Sequence, residues 1–244
     1  MNARLIFKME LFKYLRDKYY LMATLILFGL NVIATIALLN FDHLNSSLLV
    51  TSIVLAILLF VSNLIFLGII YPFHLLAIDY KNRVLALMVA SGVNRNKLFF
   101  AKIGAVILAN IVVSFVLLVV PVATLIYQVG NLGGWDELFG EMGMLMVPQM
   151  IPLSINAILS YIAGLFILMT SVIIVKGKTL SILLYFGFNM LVGVITSFIN
   201  TLFTSNSSFT QQFSGDTVAS SVIEVIVILV FGFIALQGLR HQNL

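Results

Sequence analysis

The sequence predicts an all-α integral membrane protein. Six transmembrane helices are expected, preceded by an interfacial amphipathic helix, with a short cytoplasmic helix between spans two and three. Three observations predict the membrane class. Of the 244 residues, 61% are hydrophobic and only 9% charged, whereas a soluble domain carries about 25% charged residues. Such a chain has more apolar surface than a water-soluble core can hide. Six runs are long enough to cross a hydrocarbon core of about 30 Å, which takes roughly 20 apolar residues. Finally, the thirteen basic residues gather in alternate connections between those runs.

The first element is the stretch before the first span. Leu5, Met9, Phe12 and Leu15 share one face at helical spacing, interrupted by Lys8 and Arg16, whose long side chains can snorkel. A helix lying in the inner interface is expected over residues 1–18, with Tyr19 and Tyr20 at the headgroup level. The apolar run that follows is too long for a signal-peptide core and ends in no small-residue cleavage site.

The spans are placed at about 19–40, 48–76, 99–129, 145–174, 179–203 and 218–239 within a single transmembrane domain. The second, third and fourth exceed the minimum length, so they should tilt, kink or extend past the lipid. All four prolines, Pro72, Pro121, Pro148 and Pro152, lie in or beside these long spans, and a kink or break is expected near each.

Charge placement orients the spans. Arg4, Lys8, Lys13, Arg16 and Lys18 precede the first, and Lys81, Arg83, Arg95, Lys97 and Lys102 sit between the second and third. Lys176 and Lys178 join the fourth to the fifth, and Arg240 follows the sixth. The other connections hold no Lys or Arg but contain Asp42, Asp136, Glu137, Glu141 and Asp216. With six spans the two sets fall on opposite sides, and the positive-inside rule puts both termini in the cytoplasm. The net charge of +4 is thus an orientation signal, and nucleic acid is not an expected partner. On the outer side, residues 133–146 read as a half-helix in the interface, with Trp135 and Phe139 as anchors. Residues 204–216 read as a polar loop dipping back towards it.

The connection "DYKNRVLALMVASGVNRNKLFFAKI", residues 79–103, interrupts the apolar chain with a stretch resembling a soluble helix and turn. Residues 80–90 lack Gly and Pro and carry Leu85, Leu87, Met88 and Val89, so a short helix is expected. Ser91-Gly92 breaks it, and Asn94 is placed to cap the third span. Physics alone allows two readings: a basic loop that fixes topology, or a tethered helix that a partner grips.

At these residues the chain resembles the permeases of type-2 ABC exporters. Their pattern is an acidic residue, a leucine-rich helix, a P-V-S-R turn, then a leucine and, four residues later, a base. Asp79 stands at the acid, Leu85 at the leucine, Val93-Asn94-Arg95 at V-S-R, Leu98 at the next leucine and Lys102 at the closing base. Arg83-Val84 replaces the family's Gly-Thr, and Gly92 replaces its proline. The likeness spans some 24 residues in motif (79–102) and the whole chain in architecture.

The resemblance implies a half-transporter in a bacterial plasma membrane, paired with a second identical or homologous permease and two copies of an ABC-type ATPase subunit. Asp79, Arg83, Leu85, Leu87, Val89, Asn94, Arg95 and Lys97 would couple it to that ATPase. ATP and Mg would bind the partner, leaving no cofactor and no catalytic residue on this chain. The implied cargo is an amphipathic peptide, as in bacteriocin-immunity transporters and exporters of phenol-soluble modulins. Drugs, lipids or polysaccharide carriers are the alternatives.

Other motifs carry less. "VKGKT" at 175–179 matches the end of a phosphate-binding loop, but Val172 stands where its first glycine belongs. His43, His74 and His241 lie far apart and there is no cysteine, so no metal site is expected. Within the spans, Asn31, Asn63, Asn110, Asn156, Asn189 and Asn200 need buried partners. They are either helix–helix glue or the lining of a translocation path. Asn63, Asn110, Asn156, Asn189 and the intramembrane acid Glu224 are the path candidates. Two rival classes remain. An intramembrane enzyme would need clustered ionisable groups at depth, and a secondary transporter would show internal repeats that this chain lacks.

Overall fold

The computed structural model describes residues 3–39, 61–81, 88, 90, 92–131, 141–204 and 209–241. Among them every regular element is helical. In chain order these are α1 (Ala3–Leu15), α2 (Lys18–Leu39), α3 (residues 61–81), α4 (Arg95–Asn131), α5 (Glu141–Val175), α6 (Leu180–Thr204) and α7 (Phe209–His241). Six of them, α2 to α7, contain stretches long and apolar enough to cross a membrane.

Local chemistry sets several boundaries. Asp17 separates α1 from α2 and caps the latter: its Oδ1 accepts from the Tyr19 backbone N–H at 3.1 Å. Asn94 caps α4 as expected, its Oδ1 accepting from Asn96 N–H at 3.0 Å. Gly92, at φ 81°, takes the left-handed conformation, and Val93 N–H closes back onto Met88 O at 3.2 Å. That is a helix-terminating turn of the Schellman type. The same device ends α5, where Lys176 (φ 55°) donates to Ile173 O and Gly177 to Val172 O.

Proline acts differently at each site. Ahead of Pro72, residues Phe66–Ile70 widen into a π-helical turn in which Tyr71 N–H reaches back to Phe66 O. Proline has no N–H to offer a carbonyl four residues earlier, and a π-turn absorbs that mismatch. The expected disturbance is therefore a widened turn. At Pro121, Pro148 and Pro152 no break occurs, and α4 and α5 remain helical throughout.

Two further expectations are refined. Residues 141–146, the end of the expected interfacial half-helix, form the opening turns of α5 and run on through Pro148 and Pro152 into the span, while residues 133–140 lie outside the described residues. The sixth span agrees with its expected 218–239, its apolar stretch covering Ala219–His241, but α7 begins at Phe209, so residues 209–216 are helical where a polar loop was expected. Its 33 residues extend about 50 Å at 1.5 Å each, past the hydrocarbon thickness.

The core lies towards the end of the bundle that carries the basic residues. There Ile6 and Tyr14 of α1, Leu75 and Leu76 of α3, Leu98, Phe99 and Leu117 of α4, Leu168 and Met169 of α5 and Leu239 of α7 are all buried together. A smaller cluster of Ala163, Ile167, Ile223 and Val227 joins α5 to α7, with α6 packed against it. The Thr170 hydroxyl ties the same pair, lying 3.0 Å from Phe231 O. Among the residues of α6 whose burial is described, Ser181 alone is fully buried, and Leu183, Met190, Val194 and Phe198 all point outward. Lipid is the solvent that suits such a face.

Candidate functional site: the root of the basic loop and an amide-lined groove

Both ends of the basic loop are anchored in charge. Asp79, near the end of α3, is only 2% exposed, and its two oxygens pair separately with Lys13 of α1 and Lys102 of α4. Lys13 also reaches Glu10 at 3.3 Å, and Glu10 is fully buried. Two acids and two bases thus form a neutral quartet joining three helices. A buried charge is tolerable when it is paired in this way. Burial, reinforced by the neighbouring Glu10 and Asp79 carboxylates, pushes the Tyr14 phenol well above its ordinary pKa. Tyr14 therefore stays neutral beside the quartet.

The same end is braced twice more. Arg95 donates to two carbonyls at the end of α7, Leu239 O at 2.7 Å and Arg240 O at 2.6 Å. Arg240 returns a bond from Nε to Asn96 Oδ1 at 3.1 Å. A cation at a helix C-terminus satisfies its last carbonyls and meets the negative end of the dipole. The turn after α5 packs beneath α3: a Cβ on Gly177 would lie 2.7 Å from Tyr80 Cβ and 3.1 Å from Ala77 O. The amides of Lys176, Gly177 and Lys178 donate to Ile173, Val172 and Val175, so the "VKGKT" turn acts as a packing element.

The expected coupling residues therefore divide. Asp79 is interior, paired with Lys13 and Lys102. Asn94 caps α4, Arg95 grips α7, and Lys97 is exposed. Arg83, Leu85, Leu87 and Val89 lie outside the described residues.

The amides mostly join helices. Asn31 and Asn63 exchange hydrogen bonds between α2 and α3, at 2.9 and 3.4 Å. Asn156 Oδ1 accepts from Ser221 at 3.3 Å, and Asn200 donates to Ser220 at 3.1 Å, tying α5 and α6 to α7. Asn189 bonds to Tyr185 on its own helix, and Glu224 to Ser160 on α5. Asn110 is different. It donates to Leu67 O at 3.0 Å, inside the π-turn, and to the Tyr161 hydroxyl. These groups line a cavity of about 750 Å³ between α3, α4 and α5, otherwise walled by Leu64, Gly68, Ile111, Phe115 and their neighbours. Of the five path candidates, Asn110 alone lines this cavity.

Sequence reasoning missed three features here. Glu10 and Lys13 join the site from α1. His74 Nε2 meets Asp17 Oδ2 at 3.0 Å. Tyr20, expected among lipid headgroups, is buried against Phe66, Tyr71 and His74, while its neighbour Tyr19 is 82% exposed. Adjacent helical residues point about 100° apart, so one tyrosine faces α3 and the other faces outward. No family model matches the chain, and neither a curated protein nor a solved structure matches it.

Proposed function

We propose that the chain is the membrane-spanning permease subunit of an ATP-driven exporter. Two such halves, identical or homologous, would work with two copies of a separate ATPase subunit that binds ATP and Mg, in a bacterial plasma membrane. The observation that carries this reading is the buried pairing of Asp79 with Lys102, the first and last residues of the motif in the basic loop. A loop that only fixed topology would need positive charge but no internal clamp. A loop that transmits force needs both its ends held rigidly to the helices they move. Here Asp79, Lys102 and Lys13 hold three helices together at the loop's root, and Arg95 brings in α7 as a fourth.

In this reading the ATPase grips the loop through Arg83, Leu85, Leu87 and Val89. Displacement passes through the root to α3 and α4, between which the Asn110 cavity lies. Cargo of the amphipathic-peptide class, or another hydrophobic substance, would move past that polar floor. The π-turn at Phe66–Ile70 is the segment of α3 best suited to yield, since such turns have weaker backbone bonding.

The test is co-purification with a candidate ATPase in nanodiscs, followed by ATP turnover with and without an amphipathic peptide. Peptide-stimulated turnover that Leu87→Asp abolishes, with the complex otherwise intact, supports the reading. Failure to bind any nucleotide-binding subunit would overturn it.

A further inference from the structure

A second, shallower cavity of about 480 Å³ opens at the basic end, between the first turns of α1 and α4. Arg4 and Lys97, both exposed, stand at its rim, while Phe7, Phe100 and Ala101 line it. Lys13, Lys102, Arg95 and Arg240 are engaged with acids or carbonyls nearby. Arg4 and Lys97, in contrast, have no hydrogen-bond or ion-pair partner among the described residues. Two cations thus converge from different helices without an internal anion. The groove is firmly built, because Phe7 packs over Gly104, 3.3 Å from where a Cβ would stand.

The surroundings say what kind of anion fits. Phe100 is 59% exposed beside Lys97, and Leu5 and Phe12 on α1 are exposed by 60% and 64%. Charge at the rim and apolar surface running away from it match a molecule with an anionic head and a hydrocarbon tail. Basic pockets between helices, at the end of a bundle where a leaflet begins, suit anionic lipid headgroups. The opening turn of α4 contributes the positive end of its dipole. We propose that this groove binds the phosphodiester headgroup of an anionic phospholipid. Arg4 and Lys97 pair with the phosphate oxygens, and Phe7 and Phe100 cover the first methylenes of an acyl chain. Lys97 thereby acquires a lipid partner in place of the ATPase contact that its sequence position suggested.

Native mass spectrometry of the detergent-purified protein tests this, with phosphatidylglycerol and phosphatidylcholine of matched chains. Phosphatidylglycerol should be retained at least tenfold better. Removing each cation should weaken it by about fivefold, so Arg4→Gln with Lys97→Gln loses roughly 25-fold. Arg4→Lys with Lys97→Arg, which keeps both charges, should retain the lipid. Lys176→Gln with Lys178→Gln, at the unrelated basic turn, should leave it unchanged. Equal retention of the two lipids, or full binding by the double Gln variant, overturns the assignment. So does an equal loss at Lys176 and Lys178, which would show diffuse attraction. Displacement by millimolar inorganic phosphate would identify a free-anion site and also overturn it.

Discussion

Arg95, the first residue of α4, reaches across to Leu239 near the end of α7 and donates to its carbonyl at 2.7 Å. The two residues are 144 positions apart in the chain, yet the contact seals one helix terminus with the start of another. Hydrogen bonds to charged groups contribute about 1.5–3 kcal/mol, and partial exposure here reduces that to about 1 kcal/mol. Arg95→Ala is therefore expected to lower the melting temperature in detergent measurably. Leu87→Asp should leave melting unchanged while uncoupling ATP hydrolysis from transport. If both variants melt like the parent, the Arg95 brace is not stabilising.

The quartet at the loop root makes a sharper prediction. Asp79→Asn leaves Lys102, itself completely buried, without its carboxylate. Breaking a buried pair from one side costs about 3–5 kcal/mol, so poor expression and loss of a monodisperse peak are expected. Asp79→Leu combined with Lys102→Met removes both charges and should recover most of the stability, since Lys13 keeps Glu10. A double variant as unstable as the single would show that the pair does not act as a unit.

For the reciprocal amides, single Asn31→Leu or Asn63→Leu should each cost about 0.6–2 kcal/mol, the range for polar contacts between membrane helices. Each leaves a lone carboxamide among apolar side chains. The double variant leaves none, so its cost should fall below the sum of the two. Additive losses in thermal unfolding would argue against coupling.

Glycine substitutions separate packing from open space. Gly177→Ala meets Tyr80 and forces a side chain onto φ 71°, for an expected loss of about 1–3 kcal/mol. Gly187→Ala and Gly193→Ala on α6 meet nothing within 4 Å and should be near neutral. Melting curves of the three variants, measured side by side, check the contrast.

The spans were readable because hydrocarbon thickness imposes a length and composition that a single helix must satisfy alone. The caps at Asn94 and the turn at Gly92 were readable for a similar reason, since both are set by neighbouring residues. The partners of Asp79 were only half readable. Lys102 belongs to the same loop motif, but Lys13 and Glu10 come from a helix whose apolar stripe, Leu5 to Leu15, faces outward, while its inner side mixes Glu10 with Ile6 and Tyr14. Pairings between distant helices leave no local periodicity. For that reason the six asparagines could be counted as candidates without revealing that Asn31 chooses Asn63. The π-turn was likewise invisible, because Pro72 signals a disturbance without specifying how the backbone absorbs it.

Once α1, α3 and α4 pack, two of the thirteen basic side chains are cancelled by Glu10 and Asp79 inside the protein. The insertion machinery weighs lysine and arginine far more than it weighs acids. On the orientation expected from the sequence, Lys13 and Lys102 would therefore help orient the nascent chain only while its helices emerge one at a time. Assembly would then erase that part of the address, leaving less charge at the surface of the mature protein than the chain carried in.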